Sequence, residues 1–181
     1  ATIASCSQAS EDGTESRPYG RFPDLSLRNL LTAKEEGTVI SPDWVSGSLM
    51  MMRKETFNRL EGFDEDFWMY YEDVDICRRH RNQNGRILFF KDIGILHCHG
   101  GSSRIDLSTE SITKTEVQKS RHLYIHKHFT GWRRIIFQSV VVTDNLVTGI
   151  ISGLAGLVFF FVPKLLVRLY ILIRLTGYYA G

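Results

Sequence analysis

Cysteine is scarce in this 181-residue chain: Cys6, Cys77 and Cys98 are odd in number and irregularly spaced. That argues against a disulfide framework and fits a reducing compartment. Charge imbalance is lacking too. A formal net charge of +2 is too even to make nucleic acid the main partner. No internal repeat or low-complexity tract is visible. Neither an initiator methionine nor a signal peptide precedes Ala1, and Gly181 falls on an unfinished apolar pattern. The chain is therefore expected to be a piece of a longer protein, long enough for one domain with a real core.

The most informative stretch runs from Gly62 to Arg79. Its eighteen positions hold six carboxylates (Asp64, Glu65, Asp66, Glu72, Asp73, Asp75) and five aromatics (Phe63, Phe67, Trp68, Tyr70, Tyr71). A solvated charge run would not interleave carboxylates with rings, and burying the two together is costly unless the carboxylates are bonded or used. The segment reads as the wall of a site. Acidic residues placed at a helix N-terminus for dipole reasons are the plainer alternative.

Around it, residues 1–37 read as an irregular segment and then a short helix, with turns at Gly13, Pro18, Gly20 and Pro23 and a leucine stripe at Leu25, Leu27, Leu30 and Leu31. Trp44 to Met52 reads as a buried strand whose Gly47 signals close backbone approach. A short helix over Arg53–Leu60 closes at Gly62, and a second runs from about Glu72 to Asn84 with Gly85 as its stop. Short strands are expected over Arg86–Lys91 and Ile93–Cys98, followed by a loop. A polar helix from Ser108 to Phe129, capped by Ser108 or Thr109, is expected to end at Gly131.

Asp73 stands where the aromatic cluster hands over to a helix. A carboxylate there can take a proton from a hydroxyl or simply cap the helix. Asp73-Val74-Asp75 has an acid-x-acid metal form, but such triplets are common. Asp73, Cys77 and His80 share one helix face by spacing. A zinc site from Cys77, His80, His97 and His99 matches no standard pattern. His97 as one ligand of a phosphate-bound divalent cation and His97 as a bonded loop histidine are both open. The basic run Arg78-Arg79-His80-Arg81 fits either a diphosphate or a solvated helix surface. No charged residue occurs from Asn145 to Pro163, and Lys164, Arg168 and Arg174 follow in an apolar setting. This tail fits membrane contact followed by an interfacial helix, or a buried core helix.

Val45-Ser46-Gly47-Ser48, Met52-Arg53, Phe57, the run Gly62 to Phe67, Tyr70, the run Glu72 to Cys77, Arg79 and His97-x-x-Gly100-x-Ser102 together carry a resemblance. The segment resembles the C-terminal half of family 2 glycosyltransferases, especially bacterial rhamnosyltransferase-like members, and the likeness covers roughly residues 10–131. It implies an α/β fold: the C-terminal, acceptor-binding half of a GT-A nucleotide-diphospho-sugar transferase, followed by hydrophobic helices. On this basis residues 1–131 form the partial GT-A domain and 132–181 a membrane-associating tail. The implied activity is inverting sugar transfer of the hexosyltransferase class, with rhamnose as a candidate sugar. The donor is a nucleotide sugar, the acceptor a lipid-linked or cell-wall glycan, and the place the cytoplasmic face of the cell membrane. The resemblance makes Asp73 the base with Glu72 and Asp75 beside it, sets Trp44, Ser46, Gly47 and Arg79 at the substrate, and puts His97 at Mg2+ or Mn2+. One feature departs from the pattern: no Asp-x-Asp precedes Trp44, so this piece alone is expected to be incomplete as an enzyme. A non-catalytic membrane-associated binding module on the same scaffold is the alternative.

Overall fold

A computed structural model describes residues 1–16, 18–22, 37–97, 106–159 and 162–180, apart from the side chains at 157 and 163–165. The chain divides into two compact units, one of Ala1–Asp66 with Glu72–His99 and the other of Phe67–Tyr71 with Gly100–Gly181.

The first unit is a sheet with two helices. Strand β1 (Thr2–Ala9) runs parallel to β7 (Arg86–Leu96), and the register slips between Cys6, opposite Phe90, and Ser7, opposite Gly94. Antiparallel neighbours extend this pair: β2 (Glu15–Ser16) and β6 (Met51–Met52) on β1, and β4 (Val39–Ile40) on β7. A separate ribbon joins β3 (Tyr19–Gly20) to β5 (Trp44–Val45). The core gathers Ile3, Ile40, Val45, Cys77, Ile87 and Phe89.

Three expectations change here. Residues 2–9 form a central strand, not an irregular segment. Their alternation is hidden because Ser5 and Gln8 are buried polar residues, satisfied by the Leu49 carbonyl and by Ser48. Trp44–Met52 is not one strand but β5 and β6 joined through a turn, with the Leu49 amide donating to the Ser46 carbonyl. The two strands expected around Asp92 are a single long β7. The leucine stripe at 25–31 lies outside the described residues.

Helix α1 (Lys54–Arg59) and helix α2 (Glu72–Asn82) end alike. Glu61 and Asn84 take left-handed φ of 60° and 58°, while the Gly62 and Gly85 amides reach back to the carbonyls of Phe57 and His80. These are the paired bonds of a Schellman end. Glycine is needed at 85 because a Cβ there would lie 2.3 Å from the His80 ring.

The second unit is helical: α3 (Leu107–His128), α4 (Gly131–Val158) and α5 (Pro163–Ala180). Asp106, not Ser108 or Thr109, caps α3, its carboxylate accepting from the Thr109 amide at 2.8 Å. Gly131, at φ 55°, opens α4 instead of closing α3, which ends at Phe129. Helix α5 packs closely on α4 where Gly149 and Gly153 leave room, since a Cβ at either would meet Leu172 or Leu169 at 2.9 or 3.0 Å. At the other side Leu107 packs on Val167, Ile171 and Leu175 of α5. A polar network ties all three helices. His122 meets Gln138 on one ring nitrogen and the Tyr179 hydroxyl at 2.9 Å on the other, and Asn145 donates to that hydroxyl at 3.1 Å. These contacts group α3 with the tail, so the units part near residue 99, whereas the sequence led us to expect a boundary after 131. Helix α4 is long and apolar enough to cross a membrane, and little of it is buried.

Candidate active site

The parallel pairing of β1 and β7 sends both strands' carboxyl ends to one sheet edge. In open α/β sheets that edge is where ligands bind. Gln8, near the end of β1, exchanges hydrogen bonds with the Ser48 hydroxyl at 2.8 and 2.9 Å. Ser48 also meets the Ser46 hydroxyl at 3.0 Å. Between these two serines, the Gly47 amide donates to Asp73 Oδ2 at 2.9 Å. His97, just past β7, donates its amide to the Ala9 carbonyl at 2.8 Å. Asp73, Gly47, Ser46, Ser48, Gln8 and the His97 backbone are thus joined at one end of the unit by short bonded links.

Asp73 opens α2, and its other oxygen accepts from the Val74 amide at 2.8 Å. It is half-buried, and burial raises its carboxyl above the ordinary range against the lowering pull of the Gly47 and Val74 amides. Glu72 beside it is raised as well, chiefly by burial; its own backbone N–H opposes the shift and the charge of Asp73 adds to it. Glu72 Oε2 is buried without a hydrogen-bond partner among the described residues. Two adjacent carboxyls, both pushed toward the protonated form, are compatible with proton transfer, while the Val74 bond is that of a helix-start carboxylate.

Asp75 and Arg79 do something else. Asp75, 1% exposed, pairs with Arg79 at 2.7 Å, and the guanidinium also donates to the carbonyls of Leu60 and Gly62. The pair clamps the end of α1. Expected beside the base and at the substrate, both are committed to holding the turn that starts the acidic segment. The rest of the basic run is similarly occupied. Arg78 stacks over the Phe22 ring at 4.9 Å, Arg81 donates to Ser41 and the Pro42 carbonyl, and the buried His80 ring meets the Arg86 carbonyl at 3.2 Å. Cys77 faces the Val45 carbonyl in the core, where burial pushes its thiol up to about 12. Trp44 rests on Gly20, with its indole N–H on the Arg21 carbonyl.

The acidic-aromatic segment is divided between the two units. Phe67–Tyr71 belong to the helical unit. There Tyr71 lies 5.5 Å from the Tyr124 ring, Lys127 sits over Phe67 at 5.6 Å, and Ser120 donates to the Met69 carbonyl. Phe63 packs edge-on against Phe57. Tyr70 and Tyr71 both have left-handed φ, 64° and 71°, just before Glu72. That conformation is uncommon for large side chains and persists where the surroundings enforce it. Among the described residues no three His, Cys, Asp or Glu side chains gather into one cluster. Cys98, His99, Gly100 and Ser102 lie outside the described residues. Sequence reasoning missed Gln8, because a polar residue in an apparently irregular segment carries no signal until the strand is known.

Residues 39–100 match the model of a family described as the N-terminal domain of galactosyltransferase. The segment holding Gly47 and Asp73 falls inside it. The chain is 29% identical over 91 residues to N-acetylglucosaminyl-diphospho-decaprenol L-rhamnosyltransferase of Mycobacterium tuberculosis, covering 50% of this chain and 29% of that protein. It is 49% identical over 37 residues to rhamnosyltransferase WbbL of Escherichia coli, 20% of this chain and 14% of that one. Low-salt glycan biosynthesis hexosyltransferase Agl10 of Haloferax volcanii is 26% identical over 105 residues, 58% of this chain and 30% of that protein. These matches support a glycosyltransferase family. This glycosyltransferase-like chain spans under a third of the length of each such relative. No solved structure matches it. The mixed sheet-and-helix unit fits a GT-A-like domain. The family description calls the matched domain N-terminal and so does not confirm a C-terminal half.

Proposed function

We propose that this chain carries the acceptor side of an inverting glycosyltransferase, with Asp73 as the base. The supporting observation is Asp73 itself, oriented by the Gly47 amide, half-buried, and raised next to Glu72, whose Oε2 is buried without a partner among the described residues. In this reading Asp73 Oδ takes the proton of an acceptor hydroxyl as that oxygen attacks the anomeric carbon. The bond to the nucleoside diphosphate breaks in the same step, and configuration inverts. Gly47 holds the carboxylate in place, and Ser46 and Ser48 offer hydroxyls on the same turn. The names of the bacterial relatives favour a nucleotide-activated rhamnose as donor and a lipid-linked diphosphate glycan as acceptor. The whole enzyme would then work on the cytoplasmic face of the membrane. Mg2+ or Mn2+ would arrive with the donor diphosphate, with His97 as a candidate ligand.

Asp73→Asn in the full-length enzyme should lower turnover by at least about a hundredfold while donor binding stays nearly intact. Near-normal turnover sinks the assignment. His97→Ala should weaken nucleoside diphosphate binding in Mg2+ or Mn2+ and leave it unchanged in chelator. Equal loss in both gives His97 a structural role.

A further inference from the structure

Beyond residue 144 of α4 the usual burial pattern is inverted. Among the described side chains the buried positions there are Asn145, Gly149, Gly153 and Gly156, small or polar, while large apolar side chains face out. Trp132, Ile136, Val140, Val147, Leu154 and Val158 are each 39–69% exposed. At about 100° per residue they fall within an arc of roughly 80°, and at about 1.5 Å per residue they run for about 39 Å. A stripe of that size is not left to water on a soluble monomer. Small residues inside and large apolar residues outside is the arrangement of a helix whose solvent is lipid.

The companion helix decides how the stripe meets lipid. Helix α3 follows α5 over most of its length, from Leu107 against Val167 and Ile171 to His122 against Tyr179. It carries two partly exposed ion pairs, Lys114–Glu110 at 2.6 Å and Lys119–Glu116 at 2.7 Å. Midway along α4, Asp144 pairs with Arg121 at 3.7 Å. Driving α4 across a bilayer, or pushing the α4–α5 hairpin in tip first, would drag these charges into hydrocarbon, which is strongly disfavoured. We infer that α4 lies flat in one leaflet, its stripe seated at the boundary between headgroups and acyl chains. This rests on the membrane association proposed above and specifies its geometry. The chemistry of the partner follows from charge. After Asp144 the chain has no acidic side chain and three cations, Lys164, Arg168 and Arg174, so anionic lipid is preferred.

The test uses the full chain with Cys98→Ser and a fluorophore on Ile136→Cys, Val147→Cys or Val158→Cys. Vesicles hold phosphatidylcholine and phosphatidylglycerol in equal parts, with nitroxides at shallow or deep positions. All three labels should be quenched alike and best by the shallow nitroxide. Deepest quenching at Val147→Cys means a span, and depth rising steadily to Val158→Cys means an inserted hairpin. Either result overturns the flat geometry and leaves membrane association standing. No quenching at any position overturns both. If sedimentation then shows a dimer that Leu154→Glu breaks, the stripe belongs to a second copy. On the vesicles, Leu154→Glu should cut partitioning at least about tenfold, and so should replacing phosphatidylglycerol with phosphatidylcholine. Lys114→Ala should leave partitioning unchanged. Retained partitioning in Leu154→Glu also overturns the inference.

Discussion

The sheet unit turns Ile3, Val45, Ile87 and Phe89 inward, each at most 2% exposed. Beyond residue 144, α4 turns Val147, Ile150, Ile151 and Leu154 outward, at 48–62% exposure, and buries glycines and Asn145. The same residue types are sorted in opposite directions within one chain. In the sheet unit, removal of apolar surface from water does the sorting. In the helical unit an apolar core around Val167, Ile171 and Leu175, close packing over small residues and the His122–Gln138–Tyr179–Asn145 network hold the helices, and the apolar face of α4 is left exposed. Polar groups are buried in both units, and several of them are bonded, as Gln8 is to Ser48 and Asn145 to Tyr179.

The sharpest way to break this comparison is to truncate one apolar side chain on each side of it. Phe89→Ala should cost the sheet unit about 3–5 kcal/mol, since its ring is 2% exposed in the core. Ile151→Ala, at 62% exposure on α4, should change stability by less than about 0.5 kcal/mol. Amide exchange in detergent, read separately for β7 and for α4, gives both numbers. A large loss at Ile151 would mean that the outward face of α4 is packed against protein.

A smaller effect is expected at the glycine seam. Gly149→Val puts side-chain atoms where Leu172 already stands 2.9 Å from the Cβ position. Overpacking of this kind costs about 1–3 kcal/mol, and exchange should rise in α4 and α5 while β7 stays protected. An unchanged helical unit would show that close approach at Gly149 is not what holds the pair.

What could be read from the sequence follows the same division. The glycine ends of α1 and α2, the long helices, and close backbone approach at Gly47 were legible because turn chemistry and helical periodicity are local signals; that the approaching group is Asp73 was not. Strand β1 was not, because Ser5 and Gln8 carry their hydrogen bonds inward and mimic an irregular segment. The two-residue strands β3, β4 and β5 were too short to show any period. At Asp75 and Arg79 the sequence did not show the ion pair, because buried ion pairs and catalytic groups have the same composition. Only the tertiary placement of Leu60 and Gly62 separates the two. The division of the acidic-aromatic run between the two units was not legible, because adjacency in sequence hides it.

The smallest expected effect concerns the two raised carboxyls and carries its own sign. Asp73 and Glu72 sit above their ordinary values of 3.8 and 4.5, mainly through burial. An acid with a raised folded pKa holds its proton more tightly in the folded state. Its contribution to stability is full below the ordinary carboxyl values and is lost as pH rises through the raised ones. At neutral pH both charges therefore weigh against the sheet unit. Asp73→Asn removes the charge but keeps an oxygen for only one of the Gly47 and Val74 amides. Glu72→Gln should match or exceed the parent's stability at neutral pH by less than about 1 kcal/mol, and Asp73→Asn, where the lost bond offsets the lost charge, should stay within about 1 kcal/mol of the parent. The advantage should shrink toward about pH 4, where the parent carboxyls regain their protons. The helical unit should not respond at either pH. Thermal unfolding of the three proteins across that range, with exchange in β7 and α4 as the separate readouts, measures it. If Asp73→Asn is less stable at neutral pH by clearly more than about 1 kcal/mol, the worth of one lost hydrogen bond, Asp73 is a helix-capping carboxylate whose charge serves the fold, and its place as the base is lost.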